Sequence, residues 1–211
     1  MLTGFQRADA GRIHFDGRDV TRWPPHRLAR AGMVRTFQLT RALQRMTVLD
    51  NLKLAAQGQR GEGLLSALVP GRWRTQEAEI EARADDLLVR FGLAARRDDY
   101  AGTLSGGQRK LLELARALMV EPSLLLLDEP AAGVNRALCE DLLDHLEVVR
   151  DTGTTLLFVE HDMDVVARIS DWVLCMAQGA LIAEGTAEDI VANPAVIDAY
   201  LGTGGDVEDP T

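Results

Sequence analysis

Cysteine, lysine and long apolar runs are all scarce in this 211-residue chain. The two cysteines, Cys139 and Cys175, fit neither metal-ligand spacing nor a disulfide framework, so two buried thiols are expected. No apolar run approaches the ~20 residues needed to cross a bilayer as a helix. The N-terminus, MLTGFQRADAG, lacks the charged start and apolar core of a secretory signal. A cytoplasmic location is the default expectation. Positive charge is also in deficit: 23 basic residues face 32 acidic ones, for a net charge of −9. That balance argues against a general nucleic-acid binder, which needs a basic footprint to displace counterions from phosphates. One local exception is the crowding of Arg22, Arg27, Arg30, Arg35, Arg41 and Arg45. A solvated surface is the expected meaning, with a docking face for an acidic segment as the sharper alternative.

What is present suits one globular domain. The hydrophobic fraction is 46% and the charged fraction 26%, enough to bury a core beneath a wet surface. RIHFD (12–16) alternates in polarity and runs into Asp16-Gly17, a strong hairpin turn signal. Pro24-Pro25 opens a short helix that Gly32 stops, and MVRTFQ (33–38) reads as a strand. Thr47 is a good N-cap for a helix running toward Gly58. Residues 59–74 read as loop or short helix. From 76 to 91, Ile80, Ala84, Leu87, Leu88 and Phe91 fall at helical spacing, and a further helix follows Ser105 with Leu111, Ala115 and Leu118 on one stripe. SLLLLDEP (123–130) and TTLLFVE (154–160) read as buried parallel strands, separated by an amphipathic helix through Leu138, Leu142, Leu146 and Val149. Residues 171–185 suggest a strand pair around Gly179, then two short helices. Strands alternating with helices predict an α/β fold with a mainly parallel sheet. The stretch from about residue 47 to 103 reads as a helical insertion, and 203–211 as a frayed acidic tail.

Two motifs carry chemistry. LLLLDEP (124–130) ends an apolar strand in two carboxylates, at the edge where open α/β sheets bind ligands. Asp128 is placed to hold Mg²⁺, a hard cation that prefers oxygen and keeps several waters, and Glu129 to polarise an attacking water. The bland alternative is an acidic turn after a buried strand. LSGGQ (104–108) opens a helix with two glycines beside a serine, leaving backbone N–H groups and the positive helix end toward an anion. In isolation, a Ser N-cap with a glycine-rich turn would be the better explanation.

The ordered pair, LSGGQ then LLLLDEP one short helix later, resembles the ATP-binding cassette (ABC) ATPase family. TFQ ending at Gln38 resembles that family's glutamine loop, and His161 after TTLLFVE its switch histidine. WPPHRLARAG, RTFQ, MTVLDN, DEPAAGVN, EHDMDVV and NPAVIDAYLG look like the ATPase subunits of branched-chain amino acid importers. The ATPases of lipopolysaccharide export share the short C-terminal ending. Asn135 stands where the family often carries Asp.

The resemblance implies a P-loop NTPase-like parallel sheet with a helical signature subdomain, as one domain over 1–211. Its cofactors are ATP and Mg²⁺. Two such domains pair head to tail, with ATP between the phosphate loop of one and the signature of the other. Ser105, Gly106 and Gly107 then donate to the γ-phosphate and Gln108 supports the loop. Asp128 and Gln38 serve the metal, while Glu129, His161 and Gln38 serve the attacking water and the γ-phosphate. The implied partners are transmembrane permease subunits, a second ABC ATPase domain and, indirectly, a periplasmic or surface solute-binding protein. The implied location is peripheral, on the inner face of the cell membrane.

The first strand and the Walker A loop, G-x-x-x-x-G-K-[ST], are not found in these residues. Lys53 and Lys110 are the only lysines, and neither follows the required glycine. MLTGF resembles the end of the helix after that loop, so Met1 is expected to be an internal methionine of a longer protein. The chain by itself is expected to bind ATP poorly. The alternative from another class is a non-catalytic module contributing only the signature side of an ATP sandwich. A DNA-repair ABC protein fits worse, because no coiled-coil or zinc insertion is present.

Overall fold

A computed structural model of the chain describes residues 1–36, 43–59 and 70–201. Gln38, Arg41 and the expected tail at 203–211 lie outside the described residues. The chain divides into two compact units, Met1–Val159 and Glu160–Thr211.

In the first unit, residues 1–4 form a turn closed by Gly4 N–H on the Met1 carbonyl at 2.9 Å. A small antiparallel hairpin follows, β1 (His14–Phe15) and β2 (Arg18–Asp19). Its turn residues Asp16 and Gly17 take φ of 50° and 70°, the left-handed pair that a two-residue hairpin requires. Helix α1 (Pro25–Arg30) starts on a proline, whose fixed φ and missing N–H cost nothing at a first helical position. Val20 and Leu28 pack with Met33 and Leu126 into one buried cluster. The arginine-rich segment is in part engaged: the Arg27 guanidinium lies 3.9 Å over the Trp23 ring, and Arg35 pairs with Asp128.

The main sheet is parallel, in the order β3 (Met33–Arg35), β4 (Leu124–Asp128), β5 (Thr155–Val159). Strand β4 lies between the other two. Leu125, Leu126 and Leu127 are buried in succession, which is why the sequence there is apolar without alternation. Among the described residues β5 pairs only with β4, and its Leu157 and Val159 are exposed.

Helix α2 (Val48–Ala55) begins at Thr47, whose hydroxyl accepts from Asp50 N–H at 3.0 Å. It ends at Ala55, short of the expected stop at Gly58, because Ala56 is already extended at ψ 137°. Helix α3 (Pro70–Arg90) starts earlier than the sequence pattern suggests, with Pro70 as its first residue. Its stripe of Ile80, Ala84, Leu87 and Leu88, with Phe91 just beyond, is buried as expected. Helices α2 and α3 pack on α4 (Gly106–Leu118) and on each other. Leu112, Leu114 and Ala117 are buried beside Leu111 and Ala115, so α4 is covered more widely than one stripe. Helix α5 (Arg136–Asp151) connects β4 to β5 and buries Leu142, Leu143, Leu146 and Val149.

The segment leading into α2 lies along the one that precedes α4. Ala101 N–H donates to Met46 C=O at 2.9 Å, and Gly102 N–H to Gln44 C=O at 3.1 Å. Val48 and Leu49 N–H donate to the Asp99 and Arg97 carbonyls, both at 3.0 Å. The fully buried Asn51 amide closes the same region. Its oxygen accepts from Leu43 N–H at 2.8 Å, and its nitrogen donates to the Leu43 and Thr47 carbonyls at 3.1 and 2.8 Å. Arg97 pairs with Glu81 at 2.5 Å and Asp85 at 2.7 Å, and this contact holds the Glu81 carboxyl below its ordinary range.

The second unit contains α6 (Met163–Ile169), an antiparallel pair β6 (Val173–Ala177) and β7 (Ala180–Gly185), then α7 (Ala187–Val191) and α8 (Pro194–Leu201). The β6–β7 turn is again a left-handed pair, Gln178 at φ 49° and Gly179 at φ 79°. Cys175, Ala183 and Ile190 form its buried cluster. Neither cysteine forms a disulfide among the described residues; Cys175 is buried as expected, whereas Cys139 is only half-buried.

Candidate active site

Asp128 is the last residue of β4, at the carboxyl end of the central strand. Its Oδ2 accepts from Arg35 Nη2 at 2.8 Å, with each side chain about one-third exposed. Parallel pairing sets Arg35 opposite Leu126, two residues before Asp128, so the guanidinium only has to reach along one strand. Glu129 follows at φ 46°, a left-handed conformation for a residue with a side chain. Such a conformation costs about 1–3 kcal/mol and persists only where neighbours enforce it. Its N–H is held by the Val159 carbonyl at 2.9 Å, which carries the parallel ladder one step beyond the strand. Ala132 N–H returns to the Glu129 carbonyl at 3.1 Å, curling the chain away from the sheet.

A small open cavity of about 40 Å³ lies here, large enough for a few waters. Thr36, Lys110, Glu113, Asp128 and Glu129 supply its polar side. The carboxylate oxygens suit a hard divalent cation held through one or two protein ligands with the remaining positions filled by water and phosphate. Among the described residues no group of three or more His, Cys, Asp or Glu gathers into a protein-only cage, and a Mg²⁺ site of this kind needs none.

The LSGGQ segment forms the head of α4. Ser105 is its N-cap, with Oγ accepting from Gln108 N–H at 3.2 Å and Gln108 Oε1 accepting from Ser105 N–H at 3.0 Å. This reciprocal capping box satisfies two of the helix's free donors and fixes its first turn. The two glycines differ in kind. A Cβ on Gly107 would sit 1.8 Å from Leu138 Cδ2, so a side chain there would force the Leu138 side chain on α5 to move. A Cβ on Gly106 would meet nothing within 4 Å among the described residues. No acidic side chain stands in the first turn of α4, so the helix supplies no anion of its own to its positive end.

Of the sequence-predicted residues, Asp128 and Glu129 share the cavity, and α4 reaches it through Lys110 and Glu113, beyond the Ser105–Gln108 cap. His161 belongs to the second unit, where its side chain is exposed and its N–H donates to its neighbour Glu160 at 3.4 Å. Gln38 is outside the described residues. Sequence reasoning missed Arg35 and Lys110 as members of this site. For Arg35 the available signal was a cation closing an otherwise apolar strand. For Lys110 it was one of only two lysines in a chain that otherwise uses arginine.

A parallel sheet with two carboxylates at the end of its central strand, and a glycine-headed helix beside it, defines an α/β nucleotide-hydrolase fold. The profile described as ABC transporter matches residues 1–132, and that described as branched-chain amino acid ATP-binding cassette transporter matches residues 180–206. A probable branched-chain amino acid transport ATP-binding protein LivG of Archaeoglobus fulgidus is 45% identical over 201 residues, covering 95% of this chain and 77% of the relative. The high-affinity branched-chain amino acid transport ATP-binding protein BraF of Pseudomonas aeruginosa is 40% identical over 203 residues, covering 95% and 80%. Among solved structures, the ADP conformation of the ATP-binding cassette MJ1267 superposes with a TM-score of 0.79 at 38% identity, covering 95% of this chain and 80% of that one. The chain belongs to the ABC transporter family, in the group of branched-chain amino acid transport ATP-binding subunits, and is by family an ABC-type ATPase.

Proposed function

We propose that the protein binds and hydrolyses ATP to drive an ABC importer, with branched-chain amino acids as the solutes. The observation that carries this reading is the placement of Asp128 and Glu129 at the end of β4, in the same unit as a capped, glycine-headed α4. In this reading Glu129 accepts a proton from the attacking water, or orients it, held in register by its N–H bond to Val159. Asp128 would hold Mg²⁺, which neutralises phosphate charge when bound. Gln38 would serve the same metal and water, and His161 the γ-phosphate. The head of α4 would act in trans. Ser105, Gly106 and Gly107 would donate to the γ-phosphate of a nucleotide carried by a second ATPase domain, a preorganised response to dispersed phosphoryl charge. The open space at Gly106 supports this, since no described residue comes within 4 Å of where its side chain would begin.

The helical region of about 47–103 would receive the permease, and the protein would sit on the cytoplasmic face through it, with a solute-binding protein engaged indirectly. A G-x-x-x-x-G-K-[ST] loop is not within these 211 residues. By themselves these residues would bind ATP poorly, and turnover would require such a loop to be supplied to the site.

The test is Glu129→Gln in the protein carrying its phosphate-binding loop. Turnover should fall by about 10²–10⁴-fold while Mg-ATP affinity, measured by calorimetry, is retained. Normal turnover in that variant would remove Glu129 from the chemistry.

A further inference from the structure

We propose that Lys110 is a positioning residue that ties the loop after Glu129 to the helix headed by the signature. The proposal rests on the reading of Glu129 given above, and it deepens that reading.

The Lys110 ammonium donates to the Pro130 carbonyl at 3.0 Å and also to the Ala132 carbonyl. Two carbonyls from one tight turn thus converge on a single half-buried cation. A long cationic side chain suits this role, since it carries several donors and can satisfy two acceptors at once. Charge-assisted bonds of this kind are roughly twice as strong as neutral ones. Pro130 has no N–H, so its carbonyl is the only backbone group through which that residue can be hydrogen-bonded.

The tether bears on Glu129 through covalent geometry. Glu129 already lies in a left-handed conformation, with its N–H fixed to Val159 and its carbonyl accepting from Ala132. Holding the Pro130 and Ala132 carbonyls fixes the far side of that same turn. The Glu129 backbone is therefore pinned by the sheet before it and by α4 after it. On α4, Lys110 follows Ser105 by little more than one turn of a continuous hydrogen-bonded helix. A displacement of the helix head on engaging a phosphate would therefore pass to the Glu129 turn. A general base is sensitive to such shifts, since a misplacement of ~1 Å costs on the order of 10²-fold in rate.

Two measurements on Lys110→Met and Lys110→Arg test this. The first is residue-resolved amide exchange on the 211-residue chain. Lys110→Met should speed exchange at Ala132, Gly133 and Val134 by about tenfold, as expected for losing charge-assisted bonds. Leu112, Leu114 and Ala115 should keep their protection, and Lys110→Arg should return most of the loss. Unchanged exchange at 132–134, or equal loss along α4, overturns the proposal. The second is steady-state turnover of the protein carrying its phosphate-binding loop. Lys110→Met should lower kcat by about tenfold or more with KM for ATP within about twofold, and Lys110→Arg should recover most of kcat. A rise in KM at constant kcat, or no rescue by arginine, overturns it. Glu129→Gln run alongside separates the two readings. If that variant is inactive while Lys110→Met keeps full kcat, only the tether fails; if it keeps its turnover, the assignment of Glu129 fails and the tether with it.

Discussion

Two helices of this protein begin with the same device, yet only one is left open to an outside anion. Helix α4 opens on Ser105 with Gln108 at its third position, and α7 opens on Thr186 with Asp189 at its third position; both form reciprocal capping boxes. In α7 the positive helix end meets its own carboxylates, Glu188 and Asp189, and Asp189 accepts from both the N–H and the hydroxyl of Thr186 at 3.0 and 2.7 Å. In α4 the third residue is a neutral amide, the first turn has no acid, and two positions have no side chain. The capping box therefore organises a helix start without making it a phosphate site. What distinguishes α4 is the lack of an acid in its own first turn and, among the described residues, the open backbone at Gly106.

The sharpest way to break this contrast is to treat the two glycines separately. Gly106→Ala meets no atom within 4 Å and replaces a poor helix former, so it should leave the melting temperature unchanged or raise stability by up to about 1 kcal/mol. If the openness serves a ligand, turnover in the assembled ATPase should nevertheless fall by at least about tenfold. A stable variant with full activity would mean that Gly106 has no external partner. Gly107→Ala should behave oppositely. Leu138 must give way, which costs about 1–3 kcal/mol of stability in a chemical denaturation experiment. The caps come next in size. Ser105→Ala and Thr186→Ala should each destabilise by about 1 kcal/mol, but only the Ser105 change should lower turnover as well. Equal effects on turnover would erase the distinction between the two helix starts. The smallest effect is in pH. Hydrogen bonds from the Thr186 side chain and backbone hold the Asp189 carboxyl below its ordinary range. The stability it lends is thus complete above the ordinary carboxylate pKa and is lost as pH falls through the lowered one. Gln108 has no proton to gain. Acidification should therefore fray α7 before α4, which amide exchange along an acid titration would reveal.

Much of this was readable in the residues because local signals agreed with one another. The uninterrupted apolar run ahead of Asp128 specified a strand covered on both faces, and Asp16-Gly17 specified a turn that only left-handed residues complete. Ser105 and Thr47 announced their helices through side chains that act within three residues. Contacts between distant segments were not legible. Arg35 and Asp128 are 93 positions apart, and Lys110 is 20 or more from the carbonyls it holds. No periodicity encodes such pairings, which arise only when parallel strands and packed helices bring their ends together. Helix ends were blurred for a related reason: Gly58 advertised a stop, yet α2 had already turned extended at Ala56.

The buried Asn51 amide also gives the molecule a built-in spectroscopic gauge. Its two side-chain protons are enclosed by backbone carbonyls and shielded from water, so they should exchange slowly and resonate apart from the other asparagine and glutamine amides. The group lies outside the lining of the carboxylate cavity, yet it clasps the strap between residues 43 and 47. Selectively labelled asparagine would thus report, from one pair of NMR signals, whether the lead-in to α2 keeps its grip while the chemistry is altered elsewhere.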